Sequence, residues 1–119
     1  MATSPGERRE FSRYDTDVSA ILTSARMRIG VRMLSVSASG ALLRLDRLSA
    51  KVFDAEVFII DITGVGRFSA SKKWRRDTDI GARFDLSDND RLRLAERLAA
   101  RFGPHRPLIA RLAANSPQP

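Results

Sequence analysis

Between Val18 and Phe84, apolar side chains return at every second residue in short runs broken by turn residues, a rhythm that leaves few folds open. Val18, Ala20 and Leu22 alternate with Asp17, Ser19 and Thr23, and Ile29, Val31 and Met33 alternate with Arg28, Gly30 and Arg32. Ala41, Leu43 and Leu45 share one face while Arg44 and Asp46 lie on the other. A period of two is that of a half-buried strand. Val57 to Ile62, VFIIDI, is almost continuously apolar and reads as a well-covered strand, with Thr63-Gly64-Val65-Gly66 as the turn after it. Phe68 and Ala70 alternate with Arg67, Ser69 and Ser71 toward Lys72-Lys73-Trp74, and Arg75-Arg76-Asp77 reads as a charged hairpin connection. Thr78, Ile80, Ala82 and Phe84 then alternate with Asp79, Gly81 and Arg83. Strands this short, joined by short turns, predict a mostly β fold, a small six-stranded antiparallel β-barrel, because closure removes the exposed edges such strands would otherwise carry.

After the last strand the period changes. Ser87-Asp88 is an N-cap signal with Asp90 in the first turn, and Leu92, Ala95, Leu98, Ala99 and Phe102 recur at three and four residues. The spacing predicts a C-terminal α-helix over 88–102, ended by Gly103-Pro104, that covers one barrel opening and turns Arg91, Arg93, Arg97 and Arg101 away from its apolar stripe. Residues 1–6 read as a disordered lead-in, 7–102 as a single domain and 103–119 as a tail, with a further short helical stretch from Pro107 to Ala114.

Composition narrows the chemistry. A chain of 119 residues suits one core. It has no cysteine, which removes disulfides and thiolate nucleophiles and fits a reducing compartment. Its single histidine, His105, sits between Gly103-Pro104 and Pro107, where a solvated loop is the preferred reading. No Walker loop, H-E-x-x-H, G-x-S-x-G or paired-carboxylate constellation is present, so no enzymatic activity, metal or cofactor is expected. No apolar run approaches the length of a signal peptide or membrane span, and the protein is expected to be cytoplasmic. The formal charge of +7 attracts polyanions in general without choosing among nucleic acid, lipid and dinucleotide.

Two segments stand out against this background. In Glu7 to Tyr14, ERREFSRY, Arg9 and Arg13 stand four apart with Arg8 directly before the first. On an extended segment two such side chains lie on one side, roughly 13 Å apart. A guanidinium is flat, forked and permanently charged, and can take a phosphate or the Hoogsteen edge of guanine through two parallel hydrogen bonds. In Ser35 to Gly40, SVSASG, alternate serines end at a glycine, and the apolar phase slips at Leu34. Such a slip predicts a bulge that turns Ser35 and Ser37 outward. Gly40 allows a close backbone approach that a Cβ would obstruct.

In order and separation these motifs resemble the PilZ family, whose members carry R-x-x-x-R followed by (D/N)-x-S-x-x-G and sense cyclic di-GMP. Arg9 and Arg13 match the arginines, Ser37 the serine and Gly40 the glycine, while Ser35 stands where the family carries Asp or Asn. Trp74 and Asp79 to Phe84, DIGARF, are similar to the late strand of such domains, so the resemblance spans Glu7 to Phe102. It implies a nucleotide-binding receptor or adaptor for signal transduction, with cyclic di-GMP held by Arg9, Arg13, Ser37 and Gly40, more weakly by Ser35, and with Arg8 as a third guanidinium. An arginine at position 8 resembles the arrangement of members that bind a stacked ligand pair. The implied mechanism is ordering of the arginine segment onto the barrel, which reshapes a surface for an unidentified protein partner. Two alternatives remain: a PilZ fold that has lost its ligand and works through protein contacts, and a nucleic-acid-binding barrel built on Lys72-Lys73-Trp74-Arg75-Arg76. Single-strand binders generally stack bases on several exposed aromatics, whereas most of the six Phe here fall at inward-facing or helix-stripe positions, so nucleic acid is the less favoured partner.

Overall fold

The alternating segments become six antiparallel strands in the computed structural model, which describes residues 11–103. They are β1 (Tyr14–Thr23), β2 (Arg28–Val36), β3 (Gly40–Arg44), β4 (Val57–Ile62), β5 (Gly66–Arg76) and β6 (Asp79–Phe84). Their pairing order, β1-β2-β3-β6-β5-β4, closes on itself through β1 and β4. The expected barrel is therefore present, with its C-terminal helix α2 (Asp88–Phe102). Inward positions fill the interior: Leu22, Met33, Leu43, Ile60, Ile80 and Phe84 are all shielded from solvent. Burying side chains of this size stabilises the fold by about 1.5–3 kcal/mol each before chain entropy is counted.

At one end α2 lies across the turns, and its capping follows expectation: the Ser87 hydroxyl accepts from the Asp90 backbone N–H, and Gly103 closes the last turn. Leu94 and Leu98 are the side chains this helix buries. Leu92 and Ala99, assigned to the apolar stripe from their spacing, are exposed, so the stripe is rotated toward Leu94. Arg91 accordingly sits on the inner side instead of off the stripe. It donates to the carbonyl oxygens of Ala38 (3.0 Å), Phe84 (3.3 Å) and Leu86 (3.1 Å). Arg97 donates to the Val65 carbonyl in the β4–β5 turn at 3.2 Å. The helix is thus tied to two turns on opposite sides of the mouth.

The β3–β4 connection at the other end contains a short helix, α1 (Arg47–Val52), that the sequence pattern did not announce and that buries none of its own residues. Asp46 caps it by accepting from the Ser49 backbone N–H at 2.7 Å. Phe53 follows directly and is buried, meeting Phe58 edge to face with ring centroids 5.5 Å apart. Arg75 and Arg76 belong to the strand and not to the expected hairpin connection: β5 runs through Arg76, the turn is Asp77-Thr78, and Asp77 adopts a φ of 55°. Arg75 turns toward α1 and donates to the carbonyls of Ala50 and Phe53. Those acceptors are carbonyls a helix C-terminus leaves without intrahelical donors.

Candidate functional site

The outer wall formed by β2, β3, β6 and β5 carries an open cleft of about 370 Å³. Its position follows from register. Ser35 pairs with Leu42, Leu42 with Gly81, and Gly81 with Trp74. These four residues form one row across the wall, so Ser35 and Trp74 stand three strand spacings apart, about 14 Å along the sheet.

Two bulges set the ends of that row at the cleft, Trp74 half exposed and Ser35 buried beneath Arg13 at 9% exposed. The β2–β3 register shifts between Met33 and Ser35, so Leu34 is an extra residue, as the phase slip in the sequence predicted. In an unbroken strand Ser35 would share the inward face of Met33; the extra residue places it opposite Leu42 instead. The β5–β6 register shifts between Lys72 and Trp74 in the same way, and Trp74 emerges opposite Gly81. The indole is 46% exposed. It packs directly against the glycine, since a Cβ built on Gly81 would lie 2.2 Å from its Nε1.

Two glycines make the floor. Gly40 lets β3 approach β6 so closely that a Cβ there would lie 2.0 Å from the Ala82 carbonyl oxygen. Gly81 leaves room for the indole. Between them Leu42 and Ala82 complete an apolar base, while Arg13, Lys73 and Arg83 bring cations to the rim. Among the described residues no carboxylate lines the cleft. Such a trough, with a flat aromatic wall and only positive charge at its edges, fits a planar base attached to phosphate.

Of the residues singled out in the sequence, Arg13, Ser35 and Gly40 come together here. The Arg13 Nη1 donates to the Ser35 hydroxyl at 2.9 Å, joining the segment before β1 to the β2 bulge. Ser37 departs from expectation. It does not point outward: it is 3% exposed, and its hydroxyl accepts from the Ser39 backbone N–H at 3.0 Å inside the hairpin turn. Its backbone N–H also donates to the Gly40 carbonyl at 2.8 Å. Ser37 therefore shapes the turn, and exposed Ser39 takes the place at the cleft. Arg8 and Arg9 lie outside the described residues.

Trp74, Gly81, Lys73 and Arg83 were not among the sequence candidates for the site. A signal existed, because an aromatic following two lysines on a strand that loses its alternation marks a bulge. It required knowing that Trp74 faces Gly81, which only strand pairing supplies. Beside the cleft, the next outward pair along β3 and β6 is neutralised: Arg44 and Asp79 form two hydrogen bonds of 2.8 and 3.0 Å. Those bonds from Arg44 hold the Asp79 carboxyl below its ordinary value. Among the described residues no three His, Cys, Asp or Glu side chains gather as a metal site, and no helix is long and apolar enough to cross a membrane.

No protein-family model and no curated protein matches the sequence. Among solved structures, the chain is similar to the uncharacterized Legionella protein Lpg0364, with a TM-score of 0.48 and 13% identity over 90% of this chain and 99% of that one.

Proposed function

We propose that this barrel is a receptor domain for cyclic di-GMP, of PilZ type, that changes conformation on binding and signals through a protein partner. The observation that carries the reading is the Arg13–Ser35 hydrogen bond at the rim of an all-cationic cleft whose far wall is Trp74. It adds to the resemblance of R-x-x-x-R, S-x-S-x-x-G and DIGARF to the family's motifs.

A cyclic dinucleotide needs charge compensation for two phosphodiesters and a surface for its bases. One guanine lies on the Trp74 face, where stacking contributes about 1–3 kcal/mol per base. The second guanine meets the Ser35 hydroxyl by its edge, and Arg13, released from that hydroxyl, takes the adjoining phosphate with its fork. Arg9, four residues earlier, reaches the second phosphate or a guanine edge, and Arg8 supports it. Ser37 contributes by holding the turn, so its part is indirect. Because Arg13 precedes β1 directly, neutralising it redirects the chain entering the barrel beside α2. There Phe11, Ser12 and Tyr14 line a groove with Leu92 and Ala95, which makes that groove the surface whose shape reports occupancy.

Isothermal titration with cyclic di-GMP tests the reading. Saturable heat that disappears in Arg9→Ala and Arg13→Ala supports it; absence of heat in the unmodified protein, or heat unchanged in both variants, overturns it.

A further inference from the structure

The cleft does not end at Trp74. On the β5–β6 side it runs into a second hollow of about 300 Å³ lined by Ser71, Lys72, Lys73 and Arg83, and Lys73 and Arg83 line both. Ser71 and Arg83 are direct cross-strand neighbours, one outward row from the Trp74–Gly81 pair, about 7 Å along the strands. The hollow is therefore one sugar's reach from a base stacked on the indole.

Its charge is only partly neutralised. Lys73 is exposed and makes no ion pair with any described residue. Arg83 meets Asp85 only at 3.9 Å, while the other carboxylate oxygen of Asp85 accepts from the Ser71 hydroxyl at 2.7 Å. Lys72 is paired with Glu56 at 3.0 Å. The hollow thus offers one free ammonium, one loosely held guanidinium and a hydroxyl. A cyclic dinucleotide carries two phosphodiesters and nothing further for these groups to hold. A phosphomonoester supplies what they fit: three acceptor oxygens and a charge of about −1.5 to −2 at neutral pH, with a second pKa near 6.

We infer that the cleft accepts linear guanine dinucleotides bearing a terminal 5′-phosphate, with that phosphate held by Lys73, Arg83 and Ser71. This rests on the reading of the cleft as a guanine-dinucleotide site. Arg83 takes two phosphate oxygens with its fork, Lys73 acts as a point charge, and Ser71 exchanges its bond to Asp85 for one to the ligand.

The test compares the 5′-phosphorylated linear dinucleotide pGpG with GpG, which lacks only the terminal phosphate, by titration calorimetry at low salt. At neutral pH pGpG should bind about tenfold or more tightly than GpG, the worth of one to two charge-assisted hydrogen bonds. The Lys73→Ala, Arg83→Ala double variant should erase that margin, weakening pGpG far more than it weakens GpG. Lowering the pH of the unmodified protein from about 7.5 to 5 should shrink the margin as the phosphate gains its second proton. Inorganic phosphate should compete for the margin only weakly, since it cannot stack on Trp74; if it abolishes the margin at equimolar concentration, the dinucleotide assignment fails. Equal binding of pGpG and GpG, no binding of either, or a margin that survives in the double variant overturns the inference. Cyclic di-GMP titrated in parallel separates the two readings: if it binds while pGpG shows no margin, the hollow alone has been misread, and if no guanine dinucleotide binds, both readings fall.

Discussion

The Trp74 indole rests directly on Gly81, with no room between them for a methyl group. The contact joins adjacent strands at the one place where β5 carries an extra residue, so bulge, aromatic and glycine form one device. It also makes the side-chain cost of crowding separable from the backbone cost, because a second glycine in the same cleft, Gly40, faces a carbonyl oxygen instead of a ring.

Gly81→Ala should displace the half-exposed indole into solvent and leave the barrel nearly as stable, within about 1 kcal/mol, as for other changes that crowd a movable surface group. Loss of the stacking face should weaken cyclic di-GMP binding by about tenfold or more. Gly40→Ala must instead part β3 from β6 and should cost about 1–3 kcal/mol of folding stability. Urea denaturation reads stability, and Trp74, the only tryptophan of the chain, reports the cleft through its emission. Equal destabilisation by the two substitutions would contradict the assigned roles.

At the other edge, the Arg13–Ser35 bond defines what position 35 must supply. Ser35→Ala should free Arg13 and weaken binding a few-fold, since one neutral acceptor is worth about 1 kcal/mol. Ser35→Asp gives Arg13 a carboxylate partner and offers guanine two acceptor oxygens, and it should tighten cyclic di-GMP binding by about tenfold. Weaker binding of the aspartate variant would show that the ligand meets Ser35 through a phosphate, which a carboxylate repels.

The contrast between Ser35 and Ser37 shows where sequence reasoning reached and where it stopped. Alternation located all six strands, with β4 and β6 matching the expected segments Val57–Ile62 and Asp79–Phe84, because an apolar phase is a local record of which face is covered. The slip at Leu34 was legible for the same reason. The fate of each serine was not, since a hydroxyl facing a cleft and one folded into a turn look alike until the turn geometry is known. Helix α1 was hidden because six residues hold fewer than two turns of periodicity and none of them is buried. The rotated stripe of α2 has a related cause: Leu92 and Leu94 both fit a helical spacing, and only the position of the barrel mouth chooses Leu94.

Arg91 is the link between the helix and the serine turn. Its three backbone acceptors lie on the β2–β3 turn, at the last residue of β6 and just after it, so one guanidinium satisfies carbonyls that no other described group reaches by side chain. Arg91→Ala should cost about 2 kcal/mol, the range for losing hydrogen bonds from a charged donor. Arg91→Lys should recover little of it, because a point-charge ammonium cannot span the three acceptors as a planar fork does. Hydrogen exchange should quicken at Ser37, Ser39 and Gly40 in both variants; unchanged protection there would mean that α2 and the turn are held independently.

Acid should act on the Arg44–Asp79 pair beside the cleft. The Arg44 hydrogen bonds hold the Asp79 carboxyl below its ordinary value of 3.8, so protons bind it more readily in the unfolded chain than in the folded one. The pair's contribution is therefore complete above that ordinary value and is lost as pH falls through the lower folded one. Both groups are partly exposed, Asp79 at 25% and Arg44 at 54%, and solvent screening keeps the contribution small. Asp79→Asn should lower stability by that small amount at pH 7 and by progressively less as pH falls through the carboxyl's lowered folded value. Urea midpoints of the two proteins should thus converge as acid is added; a gap that persists at the lowest pH would mean that the asparagine perturbs the β3–β6 pairing by its shape and not by its missing charge.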